Sequence, residues 1–315
     1  MKKLVQFFLC CFLFCSAQAS CETNANVAFC PIPNEKASFW HSPKNGANFE
    51  QTLPIEASFF TQAQENKSSF VYIPNKAFFD DINAEGKKTQ KTLKRLVASA
   101  KKHNLKIVVE LPGTSSNELS KDQVLLCWLP IVNQLKQYPD VVAYSIPTIS
   151  SYDWVTGHDD PDFYKKAIAQ IRRIDSQTPI ILNLDLWGIG GNFKPIPENN
   201  ILYAMKSEIV LPTVCQGPSG SFPNGDVLRA REQEATDRAK EILKYLAIWA
   251  KKQGISPYKL LISDFGSLNH GGPGSYKIND ADLASFLEII KTSGWHWSFS
   301  YPNPTTEELP QESLK

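Results

Sequence analysis

The amino-acid sequence predicts an α/β protein, built as a single (β/α)8 barrel of the TIM type. Short runs of β-branched and apolar residues alternate with amphipathic helical stretches along most of the chain. Several of these runs are continuously apolar, as expected for parallel strands that are covered on both faces. Eight such runs can be placed in order, and eight strand–helix units favour a closed barrel. The alternative is an open doubly wound sheet, but no glycine-rich phosphate loop follows the first run.

For seven of the eight strands the sequence predicts one placement. They are Gly46–Phe49, Ser68–Pro74, Leu105–Gly113, Asp140–Pro147, Thr178–Gly188, Lys259–Gly266 and Trp295–Pro302. The sixth strand has two possible placements. In one, Glu198–Ser207 is a short helix and Glu208–Val214 is the strand, and in the other the strand is Ile201–Met205.

The predicted helices lie between these strands. They are Lys91–Asn104, Gln123–Tyr138, Asp162–Asp175, about Val227–Gln253, and about Asp280–Ser293. Pro130 is expected to kink or end the second of them, because proline lacks the backbone N–H that a helix interior uses. The helix after the last strand is absent or degenerate.

The N-terminus has the features of a secretory signal. Lys2 and Lys3 precede an apolar run from Leu4 to Cys15, and small residues stand at Ala17 and Ala19. The run is shorter than the roughly 20 residues needed to span a bilayer. We expect cleavage after Ala19, which leaves no membrane span and gives a secreted or periplasmic protein. The alternative is an anchor that stays uncut.

The predicted organisation has four parts: a signal peptide (1–19), an N-terminal extension (20–38), the barrel (39–304) and a C-terminal tail (305–315). Cleavage removes two lysines and no acidic residue, so the charge stays near zero and gives no electrostatic reason to expect nucleic acid as a partner. Cys21 and Cys30 are candidates for a short disulfide loop, whereas Cys127 and Cys215 are expected to be buried free thiols. No metal or cofactor is expected, since no histidine or cysteine cluster has ligand spacing.

Several segments resemble glycoside hydrolase family 5, the cellulase-like enzymes. GANF resembles the first strand of that family, SFVYIP the second, KKHNLKIVVELPG the third helix–strand unit and YPDVVAYSIPT the fourth strand. LLISDFG resembles the strand that carries the nucleophile, and GWHWSFSY resembles the closing strand. The resemblance spans about Phe39 to Pro304 and implies a barrel that acts on polysaccharide with an acid/base and a nucleophilic carboxylate.

The catalytic signature of the family is mostly replaced. Thr148 and Ile149 stand where the resemblance places the Asn-Glu of the acid/base motif, and Asp264 stands at the nucleophile position in Asp-Phe-Gly. Tyr72 replaces an arginine on the second strand. The third-strand histidine has Leu111 or Pro112 in its place, and no His-x-Tyr occurs on either version of the sixth strand.

Other carboxylates at strand ends are candidates for the missing acid. The catalytic candidates are therefore Asp264, Asp185, Asp153 and Glu110. Each is also consistent with an ordinary hydrogen-bonded or solvated carboxylate.

The aromatic residues near strand ends are candidates for sugar binding, because flat rings cover the apolar faces of sugars. These substrate-binding candidates are Tyr72, Trp154, Trp187 and Trp297, with Trp295 as the alternative closing tryptophan. Packing in the core or under a lid is the other interpretation of the tryptophans.

Three functions remain open at this point. The chain is a hydrolase of β-glycosidic bonds with Asp264 as nucleophile, or a catalytically inactive pseudoglycosidase that binds a glycan or protein partner, or a glycosidase of another barrel family. The expected partner is a polysaccharide or oligosaccharide, with a protein as the alternative for the pseudoglycosidase, and the expected state is a monomer.

Overall fold

The structure is a computed structural model and describes residues 34–49, 57–74, 87–111, 121–147, 161–184, 194–206, 225–265 and 280–300. Eight parallel strands form a closed barrel in sequence order, with the last strand paired to the first. The prediction of a single (β/α)8 barrel is confirmed. The predicted signal segment, Cys21, Cys30 and Cys215 lie outside the described residues.

The strands are β1 Asn45–Asn48, β2 Phe70–Ile73, β3 Lys106–Glu110, β4 Val141–Ile146, β5 Ile180–Leu184, β6 Ile201–Lys206, β7 Leu260–Phe265 and β8 His296–Ser300. The helices are α1 Glu35–Ser38, α2 Ala57–Glu65, α3 Lys87–Lys102, α4 Lys121–Leu135, α5 Pro161–Ile174, α6 Gly225–Lys252 and α7 Asp280–Thr292. Two short 3₁₀ turns are formed by Phe39–His41 and Pro257–Lys259.

One of the two placements of the sixth strand is correct, and the other is wrong. β6 is Ile201–Lys206, so Glu198–Ser207 is not a helix. Ile201, Tyr203 and Met205 pack in the layer under the helices, while Leu202 and Ala204 pack inside the barrel. That alternation has the period of a strand that is buried on both faces. The short helix α2 was not predicted, and its buried face consists of Phe59, Phe60 and Ala63.

Four helix-to-strand connections use the same cap. Lys67, Asn104, Gly254 and Gly294 each have a positive φ, of 54°, 61°, 67° and 74°. The next residue donates its N–H to a carbonyl five residues back, as Ser68 does to Ala63 at 2.9 Å. This Schellman pattern satisfies carbonyls left open at the end of a helix. It also turns the chain into β2, β3 and β8, and toward β7 through the 3₁₀ turn Pro257–Lys259.

Apolar residues fill two separate layers. The larger cluster lies between the barrel and the helices. The smaller one lies inside the barrel and includes Trp40, Phe70, Val108, Ile181 and Leu261. We call this inner cluster the apolar floor. It occupies the N-terminal half of the barrel and supports the residues at the C-terminal ends of the strands.

Trp40 closes the N-terminal end of the barrel. Its indole N–H donates to the Val142 carbonyl at 3.0 Å, and its ring packs edge-on against Phe70 and His296. The His296 ring is fully buried, accepts from the Lys44 backbone N–H at 3.0 Å through Nδ1 and faces the Tyr258 carbonyl at 2.9 Å through Nε2. The segment that precedes β1 therefore packs against the N-terminal end of the barrel.

Candidate functional site

A polar layer lies above the apolar floor, at the C-terminal half of the barrel. Its members are Asn48, the Tyr72 hydroxyl, Glu110, Ser145, Asn183 and Ser263. Their neighbours along the strands, such as Ala47, Val109, Tyr144 and Leu182, pack in the outer cluster. Because successive side chains of a strand point to opposite faces, the polar members point into the barrel. Function in barrels of this type is found at this end.

A chain of hydrogen bonds crosses the polar layer. The Tyr72 hydroxyl is hydrogen-bonded to Ser145 Oγ, although β2 and β4 are separated by β3. Asn183 Nδ2 donates to Ser145 Oγ and to the Ile146 carbonyl, both at 2.8 Å. Tyr72 therefore reaches past β3, and its hydroxyl is held by Ser145 of β4, which Asn183 of β5 holds in turn. The aromatic ring that sequence analysis proposed as a sugar platform is a buried part of the barrel interior, with 6% of its surface exposed.

Glu110 is a buried carboxyl at the C-terminal end of β3, with 7% of its surface exposed. It lies beside Ser145 in the register of β3 and β4. β7 stands four strands away from β3 in the closed ring of eight, so the two strands form opposite walls. Asp264 is the fifth of the six residues of β7.

The β7 strand is irregular at the position of Asp264. Ile262 pairs with Trp297 and Phe265 with Phe299, so β7 has one residue more than β8 over this stretch. Such a bulge interrupts the alternation of strand faces and is common next to active sites. Ser263, just before Asp264, is buried, and its hydroxyl has no hydrogen-bond partner among the described residues.

The other sequence candidates are placed as follows. Asp185 directly follows β5, but it lies outside the described residues, as do Asp153, Trp154, Trp187, Thr148 and Ile149. Trp297 packs against the outer apolar cluster, with Lys291 Nζ of α7 lying 5.7 Å from the centre of its ring. Trp295 is buried in the same outer cluster, before β8 begins. Neither tryptophan of the closing strand faces the polar layer, because strand alternation gives the inward positions to His296 and Ser298.

A second polar network, which the sequence did not indicate, lies at the N-terminal end of the barrel. The buried Asp175 carboxylate accepts from the Tyr144 hydroxyl at 2.8 Å, the Thr178 hydroxyl at 2.6 Å, and the backbone N–H groups of Gln177 and Thr178. Burial alone would raise the pKa of Asp175, but these hydrogen bonds outweigh it and hold the pKa below its usual value. The network joins β4 to the connection before β5, far from the polar layer.

Cys127, partly buried on α4, is a free thiol, and burial raises its pKa. Within the described ranges, no group of three or more His, Cys, Asp and Glu side chains is arranged to hold a metal ion. No described helix is long and apolar enough to span a bilayer.

Comparison with known proteins gives a structural likeness only. No protein-family model matches the chain, and no curated protein does. Thermotoga maritima Cel5A in complex with mannotriose has a TM-score of 0.58 at 17% identity, covering 87% of this chain and 93% of that one. A hyperthermophilic endo-β-1,4-glucanase in complex with substrate has a TM-score of 0.62 at 14% identity, covering 89% and 98%.

Endo-glycoceramidase II from Rhodococcus sp., in complex with a five-membered iminocyclitol, has a TM-score of 0.60 at 12% identity, covering 85% of this chain and 75% of that one. These structural neighbours are barrel glycosidases, as the resemblance to family 5 implied. Since all of these identities are below 25%, the likeness shows that this chain has the (β/α)8 barrel fold of such glycoside hydrolases.

Proposed function

We propose that this chain binds a β-linked polysaccharide or oligosaccharide at the C-terminal end of its barrel. The polar layer is the observation that carries the proposal. It places hydroxyl, amide and carboxyl groups at the end of the barrel where ligands bind, above the apolar floor. Sugars present many hydroxyl groups, which need partners of these kinds when they leave water. The fold shared with Thermotoga maritima Cel5A, which has been solved in complex with mannotriose and with cellobiose, supports the same ligand class.

Within this proposal, Asp264 and Glu110 are the residues that contact the sugar. Both stand at C-terminal strand ends, on opposite walls of the barrel. Trp154 and Trp187 are proposed to supply the aromatic surface, since they follow β4 and β5 in sequence. Tyr72 supports the site from below, because its hydroxyl is held by Ser145.

Hydrolysis of the β-glycosidic bond is the second candidate. The observation that favours it is a buried carboxyl, Glu110, on the wall opposite the strand of Asp264. Two carboxyl groups on either side of a sugar are what glycoside hydrolysis needs, with Asp264 as nucleophile or base. Asp185 and Asp153 are the other proposed acids. Loss of general acid catalysis lowers the rate of hydrolysis by roughly two to four orders of magnitude. Whether the protein is a hydrolase or a pseudoenzyme therefore depends on whether one of these acids lies beside the glycosidic bond.

The test compares wild type with Asp264→Asn on a panel of β-glucan and β-mannan oligosaccharides. Binding is measured by calorimetry and hydrolysis by release of reducing ends, with Asp162→Asn, whose carboxylate is highly exposed on α5, as the matched control. Binding that falls in Asp264→Asn but not in the control supports the proposal. Hydrolysis lost only in Asp264→Asn establishes the enzyme, whereas no binding to any glycan by wild type rejects both candidates.

We also infer that the protein is exported and acts as a monomer. The basic and apolar segments before Ala19 support export. N-terminal sequencing of the protein from the producing cells should begin at Ser20, and light scattering should give the mass of one chain. Retention of Met1 on the isolated protein would contradict export with cleavage.

A further inference from the structure

The outer face of helix α3 carries charge of one sign only. Five of its side chains are basic and exposed: Lys91, Lys94, Arg95, Lys101 and Lys102. From Lys87 to Val109 the sequence has no acidic residue. The whole chain has a net charge of only +1, so the balance of the chain conceals a strongly positive segment. We call these five residues the basic row.

The packing of α3 fixes the orientation of the basic row. Leu93, Leu96, Val97 and Ala100 are buried in the outer apolar cluster, which turns the remaining positions toward solvent. Positions 91, 94, 95, 101 and 102 follow the helical repeat, so they lie along the helix axis. At 1.5 Å per residue the row is about 17 Å long. A narrow row of this length matches an extended chain better than a small compact anion.

Among the described residues, no acidic side chain pairs with the basic row. None of the five cations forms an ion pair with a described acidic side chain. On the neighbouring elements, Asp122 pairs with Lys166 and Asp140 pairs with Lys106 at 2.7 Å. The positive charge therefore remains available to a ligand.

The like charges of the basic row destabilise helix α3, whereas helix α6 carries charges of both signs. Like charges three or four residues apart destabilise a helix by about 0.2–0.5 kcal/mol per pair, and Lys91 has such neighbours in Lys94 and Arg95. On α6, by contrast, Asp237 and Glu241 alternate with Lys240 and Lys244. Binding of a polyanion would relieve the repulsion along α3.

The residues on the exposed face of α3 favour one class of polyanion over the others. It exposes no aromatic side chain, on which single-stranded nucleic acids stack, and its only exposed apolar residue is Ala98, too small to insert into a membrane. Four of the five cations are lysines, which act as hydrated point charges and do not require bidentate recognition. We propose that the basic row of α3 binds a linear anionic polysaccharide through its carboxylate or sulfate groups. The preference for a glycan among polyanions rests on the function proposed above.

The experiment measures retention of the full chain on immobilised polygalacturonate and on heparin, over a series of salt concentrations. The test variant is the triple substitution Lys91→Gln, Lys94→Gln, Lys101→Gln. The matched control is Lys244→Gln, Lys251→Gln, Lys252→Gln, which removes the same charge from exposed positions on α6. Binding to a neutral β-glucan or β-mannan oligosaccharide is measured on the same samples, because it reports on the barrel site alone.

We expect wild type to be retained at low salt and released as salt rises, since exposed charges are screened. The α3 variant should bind at least about tenfold more weakly, while the α6 control stays within about twofold of wild type. Retention on polygalacturonate would show that carboxylates suffice, whereas retention on heparin alone would identify sulfate as the ligand group, since heparin carries both groups. If the protein is retained on the polyanion columns as expected but does not bind the neutral oligosaccharide, the barrel site is rejected and the basic row is not.

Three results would overturn the proposal. They are no retention of wild type on either column, an equal loss in the α6 control, and equal or tighter binding of wild type to duplex DNA or to phosphatidylserine vesicles. Removing lysines relieves repulsion in α3, so misfolding of the variant is not expected, and its circular dichroism spectrum checks this.

Discussion

The hydroxyls of Tyr72 and Ser145 are hydrogen-bonded to each other across the interior of the barrel, past the intervening strand β3. Asn183 joins them from β5 through Ser145 Oγ. This contact separates the apolar floor from the polar layer, because the Tyr72 ring packs below and its hydroxyl belongs to the layer above. It is the support on which the proposed glycan site rests.

Tyr72→Phe removes one hydroxyl of this contact and leaves a buried partner less satisfied. We expect the free energy of unfolding to fall by about 1–3 kcal/mol. In a double-mutant cycle with Ser145→Ala, measured by urea unfolding, the two effects should couple by about 0.5–3 kcal/mol. Strictly additive effects would mean that the two hydroxyls do not interact in solution.

His296 should make the fold sensitive to acid. Burial, followed by the nearby charge of Lys44, outweighs the hydrogen bonds at its ring and lowers the pKa of His296 to about 4, below its usual 6.5. The unfolded chain therefore takes up this proton more readily than the folded chain. The stability due to this group is complete above pH 6.5 and declines by about 3 kcal/mol as the pH falls toward 4.

The measurement is the free energy of unfolding in urea at several pH values, for wild type and His296→Asn. The variant should be less stable at neutral pH, because it loses the partner of the Tyr258 carbonyl. Its stability should nevertheless change less between pH 6.5 and 4. An unchanged pH dependence in the variant would exclude His296 as the origin.

Lys67 adopts a positive φ of 54° at the end of α2, where the equivalent positions of two other helices have glycine. A side chain disfavours this conformation, so Lys67→Gly should raise the thermal midpoint, with a gain of up to about 1 kcal/mol. Gly254→Ala is the reverse change at φ 67°, with open space around the added carbon, and should destabilise by a similar amount. If both variants melt like wild type, the cap conformation has no energetic role.

The fold was predictable because barrel strands are buried on both faces. The segments of β3, β4 and β7 read as continuous apolar runs, and helices such as α3 show one apolar face. The prediction failed at α2, whose nine residues are too few to show a clear period. It stayed ambiguous at β6, where a helix and a strand both suited the short run ILYAM until its pairing with β5 and β7 was known.

The site was predictable only in part. Glu110 and Tyr72 were chosen as strand-end residues and do lie in the polar layer. Trp297 was chosen for its resemblance to the family, but its ring packs outside the barrel, because only alternate residues of β8 face inward. Asn183 and Ser145 were missed, since a neutral residue within an apolar run carries no sign of the network that it joins.

The overall amino-acid composition also gave no sign of the basic row. The near-neutral net charge gave no electrostatic reason to expect nucleic acid as a partner, but a net charge does not show how the charges are distributed. The lack of acidic residues between Lys87 and Val109 was visible in the sequence. Its meaning became clear only when the packing of Leu93 and Val97 placed the cations on one exposed face.

The proposed function requires a glycan to bind at the polar, C-terminal end of the barrel. Two variants with the same chemical change at opposite ends test it most directly: Glu110→Gln in the polar layer, and Glu35→Gln on the exposed face of α1. Affinity for a β-glucan or β-mannan oligosaccharide is measured by calorimetry on wild type and both variants. We expect Glu110→Gln to weaken binding by about tenfold or more and Glu35→Gln to leave it unchanged. Equal affinity in all three proteins, or a loss confined to Glu35→Gln, would mean that the glycan does not bind at this end of the barrel.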